Sequence, residues 1–529
     1  MTYRVLVSDK LSERGLAILR AAEGIETDVK VGLSPADLAA AIGAYDALIV
    51  RSATKVTAPV LKAGSRLKVV GRAGIGVDNV DVQAASRNGV VVMNTPDGNV
   101  VTTAEHAIAL MCALTRWIPQ ATASMRTGGW EKTKFQGREL FHKTLGILGL
   151  GNIGKIVADR ALGLRMKVIA YDPFVTPERA REIGVELVGL DELLRRSDYL
   201  SLHVPLLEST KNIIDRAAIE KMKPGAFLID AARGGLVDEQ AVADAVKSGR
   251  LGGAAFDVFA TEPPAKDNPL LGVDKIILTP HLGASTDEAQ ENVSIAVAEQ
   301  VVDFLRTGAV KNAVNAPSVS PEHMATVGPY LRLAARIGSF AGQVHDGGIR
   351  KIKVAYHGNT ANMPTASITI AILKGLISTM LEQPVNEVNA PLIAKDRGIE
   401  WTEEKTHSTR DFAGAIAVEI EGDQGKTEVM GALLGPDEPR IVRLDGMRLE
   451  LVPQGTIILT RHIDRPGMLG KIGTVLGDRG INISRLVLAS PSAGTAQASI
   501  SIDGPCGQDV VDTLSAIQGV ERVRVVTLA

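Results

Sequence analysis

His281, Glu262 and Arg233 carry the side chains needed to move a proton beside an anionic substrate. An imidazole titrates near neutrality. A carboxylate can orient it and favour its protonated form, and a guanidinium can grip a carboxylate through two parallel hydrogen bonds. A single histidine at a strand end caps or packs as readily as it reacts, so the company it keeps decides. Arg233 follows the apolar run Ala226 to Asp230, and Asp257 falls in the run Gly253 to Val258. His281 comes just after Lys275 to Thr279, and Asp172 just after Lys167 to Ala170. Polar residues thus recur past successive strand ends, the edge of an open parallel α/β sheet where ligands bind.

The stretch Gly146 to Gly154, GILGLGNIG, points to the ligand on that edge. A strand pattern, Thr144 to Leu150, breaks into Gly149-x-Gly151-x-x-Gly154 and opens a helical pattern, Lys155 to Leu164. The first glycine permits a tight turn, the second lets backbone approach a pyrophosphate, and the third allows close helix–strand packing. The helix N-terminus then faces the negative charge. Asp172 can accept both ribose hydroxyls and would repel a 2′-phosphate, which favours NAD over NADP. Asp257 reads as a partner of the nicotinamide carboxamide or a support of the sheet edge, and His203 as packing beside the cofactor. Glu105 and His106 read as a satisfied polar pair on a packed helix, Thr102 to Trp117, with Cys112 in its core stripe. The polar run Trp130 to Arg138 reads as a solvated face that could also reach an anionic substrate.

The elements that position these groups follow an α/β order. Strands at Tyr3 to Ser8, Asp46 to Ser52, Leu67 to Arg72 and Val90 to Met93 alternate with helices at Ser12 to Ala22 and Asn79 to Arg87. Their ends expose Arg51, Ser52, Arg72 and Gly74 to a ligand. A helix, Thr286 to Leu305, returns the chain to this first unit, and Gly308 to Pro321, with Pro329 beyond, reads as a linker. The region to Pro453 shows strands at Arg350 to Ala355, Phe412 to Glu421, Thr427 to Leu433 and Glu438 to Leu444, and a helix at Ile368 to Met380. The last residues repeat β-α-β-β-α-β, a ferredoxin-like order. Such a small sheet leaves an edge strand that must be covered or paired, so self-association is expected there.

A chain of 529 residues is too long for one core, which favours three or four domains. A net charge of −2 with 22% charged residues argues against nucleic-acid and membrane-surface partners. Two cysteines, Cys112 and Cys506, without metal-ligand spacing fit a reducing compartment and no metal site. The N-terminus reads directly as a strand without a leader pattern, and no long apolar run is present. A soluble, cytoplasmic protein is the expectation.

At RSATKVT (from Arg51), GRAGIGVDNVD (containing Arg72), LGILGLGNIG, DAARGGLVDE, DVFATEPP and TPHLGAST the sequence resembles the D-isomer-specific 2-hydroxyacid dehydrogenases, most closely the long-form phosphoglycerate-oxidising branch. The resemblance covers essentially the whole chain. It implies an α/β fold in which a Rossmann-type nucleotide domain (100–285) is inserted in a flavodoxin-like substrate domain (1–99 and 286–317). An α+β intervening domain (318–453) and a ferredoxin-like ACT domain (455–529) follow. It implies Arg233, Glu262 and His281 as catalytic residues. NAD would meet Ile75, Gly149, Gly151, Asn152, Ile153, Gly154, Asp172, Val204, Pro205, Ala231, Ala232, Arg233, Asp257, His281, Gly283 and Ala284. Substrate would meet Arg51, Ser52, Arg72, Gly74, Arg233 and His281, with Lys132 supplied by a neighbouring subunit. The implied reaction is NAD-dependent oxidation of 3-phosphoglycerate, with possible side activity on 2-oxoglutarate. L-serine is an implied effector at Asp464 and Asn482, in a homo-oligomer of two or four chains. Another 2-oxoacid reductase and an NAD-sensing protein without turnover are the competing readings. The basic strand ends and the two extra domains weigh against the first, and the complete Arg233–Glu262–His281 set against the second.

Overall fold

The computed structural model describes residues 2–317, 321–381, 384–408, 412–492 and 494–528. Four sheets divide the chain. The first holds five parallel strands in the order Ile25–Val29, Tyr3–Val7, Ala47–Val50, Val69–Arg72, Val91–Asn94. That is the flavodoxin-like order, and its strands other than the edge strand Ile25–Val29 carry the buried Val, Ile and Leu runs expected of strands covered on both faces. The second holds seven parallel strands: Ile276–Leu278, Leu251–Phe256, Ala226–Asp230, Tyr199–Leu202, Thr144–Leu148, Lys167–Tyr171 and Glu186–Leu187. Its order reverses beside Thr144–Leu148, a Rossmann switch point that puts the glycine turn at the ligand crevice.

Two long helices join these units. Val100–Thr115 carries the chain from the first sheet to the second and buries Ala104, Ala107, Leu110, Met111 and Leu114 in the second core. Asp287–Thr307 returns it, capped by the Thr286 hydroxyl on the Ala289 N–H, and buries Val293, Val297, Val301 and Leu305 in the first core. The nucleotide-binding unit is therefore inserted in the substrate unit.

A third sheet of six strands runs Glu400–Thr406, Ile349–Gly358, Gly414–Gly422, Gly425–Leu434, Glu438–Leu444, Met447–Leu451, antiparallel except for its first, parallel pair. Helices Pro321–Val344 and Thr365–Ser378 pack against it. The first of these begins at the last residue of the linker reading, Gly308 to Pro321, and is a helix that the prolines hid from the sequence. The chain is helical from Pro321 with Pro329 inside the helix, and Leu333, Ile337, Phe340, Ala341 and Val344 recur on one buried face. Residues 318–320 of that reading lie outside the described residues. The loop after Thr365–Ser378 reaches back to the substrate unit. There Asn386 donates to the Gly89 carbonyl at 2.7 Å, and Val388, 5% exposed, joins the core formed with Val293 and Val297.

The C-terminal sheet runs Ile483–Ser492, Thr495–Ile502, Gly455–Ile463, Val520–Leu528, with helices Met468–Gly477 and Gln508–Ser515 on one face. The middle of its other face is covered. Ile457, Leu459, Val526 and Leu528 share a core with Phe340 and Ile352 of the preceding unit. Among the described residues no helix is long and apolar enough to cross a membrane, and no cluster of His, Cys, Asp and Glu could hold a metal ion.

Candidate active site

Two adjoining cavities open between the first two units. One, of ≈ 440 Å³, is lined by Arg51, Ser52, Arg72, Gly74, Glu262, His281 and Ala284 among others. The other, of ≈ 310 Å³, is lined by Ile75, Asn152, Ile153, Val204, Pro205, Ala231, Ala232, Arg233, Asp257 and Gly283 among others, and shares Arg72 and His281 with the first. Strand ends from both sheets thus meet at His281.

His281 sits in left-handed backbone, φ 55°, held by its N–H on the carbonyls of Asp257 and Thr279 at 2.9 and 3.0 Å. A side chain rarely adopts that conformation unless its surroundings over-determine it. Its Nδ1 lies 2.7 Å from Glu262 Oε2, while Glu262 Oε1 accepts the Phe259 N–H at 3.1 Å. The carboxylate therefore fixes a proton on Nδ1 and leaves Nε2 to exchange one with a substrate.

Arg233 leaves the end of strand Ala226–Asp230, donating to its neighbour's carbonyl (Ala232) at 2.6 Å and standing 3.3 Å from Asp78 Oδ2. The fully buried Asp230 carboxylate accepts the Ala232 N–H at 3.0 Å and shapes this turn, and burial pushes its pKa up to about 7. Arg72 and Arg51 face the same cleft. Burial, and after it the nearby positive charges of Arg233 and Arg51, holds the Arg72 pKa down to about 10, and its Nε is buried without a partner. Burial also lowers that of Arg51, whose Nη1 donates to the Lys10 carbonyl at 3.2 Å. Three guanidinium groups crowd one cleft against their mutual repulsion, an arrangement that an anion would relieve.

The glycine turn fits a dinucleotide. Gly149, at φ 95°, lies where a Cβ would come within 2.6 Å of the His203 carbonyl oxygen, and a Cβ on Gly154 would run into the Gly149 carbonyl. At Gly151 a Cβ would meet nothing within 4 Å. The open space lies in front of helix Asn152–Gly163, whose N-terminus has no side-chain cap. Both Asp172 oxygens accept backbone N–H groups, from Leu150 and Phe174, each at 2.8 Å, so the carboxylate is aimed before a ribose arrives. His203 is half-buried, hydrogen-bonded to the Ser201 hydroxyl at 2.8 Å, and desolvation of its ring lowers its pKa to about 4. It lines the cavity as a neutral ring.

Lys132 lines neither cavity in this chain; it stands over the Trp130 ring at 5.7 Å on an exposed loop. Asp464 and Asn482 lie far along the chain in the C-terminal sheet unit, where Asn482 donates to Asp503 at 2.7 Å. Sequence reasoning did not single out Asp78, Asn99, Thr103, Gln290 or Val293, which also line the cavities. Asp78 was within reach, because it lies in the GVDNVD stretch already quoted for Arg72.

A Rossmann unit, a histidine–carboxylate pair and a basic cleft between two α/β units define a nucleotide-dependent dehydrogenase of 2-hydroxy acids. Comparison with known proteins gives the same class. The chain matches the D-isomer specific 2-hydroxyacid dehydrogenase NAD binding domain over residues 108–283, the D-3-phosphoglycerate dehydrogenase intervening domain over 326–445 and the ACT domain over 456–522. It is 42% identical over 527 residues to a D-3-phosphoglycerate dehydrogenase of a Synechocystis species, covering 99% of this chain and 95% of that one. The corresponding enzyme of Archaeoglobus fulgidus is 42% identical, with 98% of each chain covered. Among solved structures, a D-lactate dehydrogenase from Aquifex aeolicus complexed with NAD and lactic acid matches 59% of this chain and all of its own, at TM-score 0.53 and 28% identity. The chain belongs to the D-3-phosphoglycerate dehydrogenase family, in its long form with an ACT domain. It is an oxidoreductase of 2-hydroxy acids with an NAD-binding domain.

Proposed function

We propose that this chain oxidises 3-phospho-D-glycerate to 3-phosphooxypyruvate with NAD, the first committed step toward L-serine. The convergence of Arg51, Arg72 and Arg233 on the His281 cleft carries the reading, because a monoanionic acid needs one such group and a phosphorylated acid needs more. In this scheme Arg233 grips the carboxylate and polarises the C2 oxygen, Arg51 and Arg72 take the phosphate, and Ser52 and Gly74 line its pocket. His281 Nε2 receives the C2 hydroxyl proton while Glu262 stabilises the imidazolium. Bound NAD would supply the acceptor for the C2 hydride. Its pyrophosphate would lie over Gly151 and the start of helix Asn152–Gly163, and its adenosine ribose against Asp172. Lys132 of a neighbouring subunit would add a further cation, which requires a dimer or tetramer. Asp464 and Asn482 would hold L-serine at an ACT interface, and a lesser activity on 2-oxoglutarate is compatible with the same cleft.

The test is NADH formation with 3-phosphoglycerate beside D-glycerate, each with and without millimolar L-serine. Strong preference for the phosphorylated acid is expected. Equal turnover of D-glycerate would overturn the phosphate role of Arg51 and Arg72, and an unchanged rate with serine would remove the effector assignment.

A further inference from the structure

Asp257 lines the cofactor cavity, yet its residue has no exposed surface and its carboxylate is consumed within the protein. Oδ1 accepts the Thr279 hydroxyl at 2.6 Å and the Leu282 N–H at 2.7 Å; Oδ2 accepts the Gly283 N–H at 2.8 Å. Burial alone would raise its pKa, but hydrogen bonds from His106, Thr279 and Leu282 outweigh it and hold the carboxylate ionised. These acceptors fix the loop that flanks His281. A fourth donor comes from outside the loop: His106 Nε2 lies 3.1 Å from Asp257 Oδ1 and 3.3 Å from Thr279 Oγ1. Thr279 already donates to Asp257, so the histidine must present Nε2–H to both oxygens. Three residues earlier on the same helix face, the Thr103 hydroxyl shares its proton between the Gly283 carbonyl at 2.9 Å and the Asn99 carbonyl of its own helix at 3.0 Å.

We propose that His106 is a positioning residue that, with Thr103, clamps helix Val100–Thr115 onto the 279–283 loop and so sets the place of His281. This helix joins the two catalytic units, so the clamp ties the general base to the one element that spans them on the outgoing chain. The proposal rests on the role given above to His281.

The experiment uses the full chain with His106→Leu, His106→Gln and Thr103→Val, and reads both steady-state kinetics and amide hydrogen exchange of the 279–286 segment without cofactor. The glutamine amide nitrogen can reach where Nε2 stands; leucine keeps the volume without a donor. For His106→Leu, kcat should fall about 10- to 100-fold, as when a hydrogen bond to a charged group is lost. KM for 3-phosphoglycerate should stay within about threefold while the segment exchanges at least about tenfold faster. His106→Gln should restore both readouts, and Thr103→Val should loosen the segment in the same direction. Unchanged exchange in His106→Leu, faster exchange with wild-type kcat, or failure of glutamine to restore either readout would overturn the clamp. A His281→Ala variant separates the premises: if it keeps activity, the catalytic assignment fails whatever the exchange data show.

Discussion

Replacing Arg72 by methionine should weaken catalysis and strengthen the fold, and the opposite signs make it the most discriminating perturbation. Arg72 remains charged at neutral pH although burial, Arg233 and Arg51 hold its pKa down to about 10. A base whose folded pKa lies below its unfolded value destabilises the fold fully at any pH below that folded pKa, and the penalty is relieved only above it. From the ordinary arginine value, the depression corresponds to roughly 3 kcal/mol at pH 7. Partial solvent access and the weak bond to the Ala73 carbonyl, at 3.4 Å, reduce the gain from removing the charge to about 1–2 kcal/mol. Methionine keeps most of the packed stem. The thermal transition of the catalytic units should therefore rise by about 2–8 °C. With 3-phosphoglycerate, kcat/KM should fall about 10- to 100-fold, the value of a charge-assisted hydrogen bond to an anion. With D-glycerate it should change less than about threefold, since on this reasoning no phosphate contact is lost. A lower transition temperature would refute the electrostatic account of Arg72. Equal losses on both acids would refute its assignment to the phosphate.

Other outcomes follow from the same geometry. Gly151→Ala should fold with a transition within a degree or two of wild type yet bind NAD more weakly by titration, because its Cβ enters open space, whereas Gly154→Ala should fail to fold stably, because its Cβ meets the Gly149 carbonyl. Asp172→Ala should raise the NADP-to-NAD ratio of kcat/KM at least about tenfold, as expected when a carboxylate facing a ribose 2′ position is removed; an unchanged ratio would relocate the ribose. Asp230, with its pKa raised to about 7, lowers stability as pH climbs from the ordinary carboxylate range through 7. Asp230→Asn keeps an acceptor for the Ala232 N–H, so denaturant titrations should show its stability gain over wild type to be larger at pH 8 than at pH 5.

Much of the catalytic half was legible in the sequence because local pattern and chemistry agreed there. Apolar runs of four to six residues ended in the groups that line the cleft, and the glycine spacing lay between a strand and a helix. The misses have physical reasons. Ile25–Val29 and Glu400–Thr406 are edge strands with mixed or exposed faces, so neither shows the apolar run or the alternation that marks a strand. Pro321 and Pro329 punctuate a helix that buries one face, and the prolines masked its period. The role of His106 was invisible because its acceptor, Asp257, is distant in sequence and meets it only after the second sheet has formed. The residue was read as a satisfied polar group, and it is one. The sequence could not say which loop it satisfies.

Val388 gives the chain's architecture a mechanical meaning. Its side chain is a stopper seated in the core of the substrate unit, in the same packed cluster as Val293, which lines the catalytic cleft. Beside it, Asn386 grips the Gly89 carbonyl like a pin. The C-terminal half is thus plugged into the catalytic half, and a cut after residue 317 would leave a socket where a methyl pair had been, worth about 1.5–3 kcal/mol of lost burial. A chain cut there should melt at a lower temperature than the catalytic half of the full chain, which a thermal scan would check. Val388 and Asn386 tie the distal units to the cluster that also holds Val293, a residue lining the cleft.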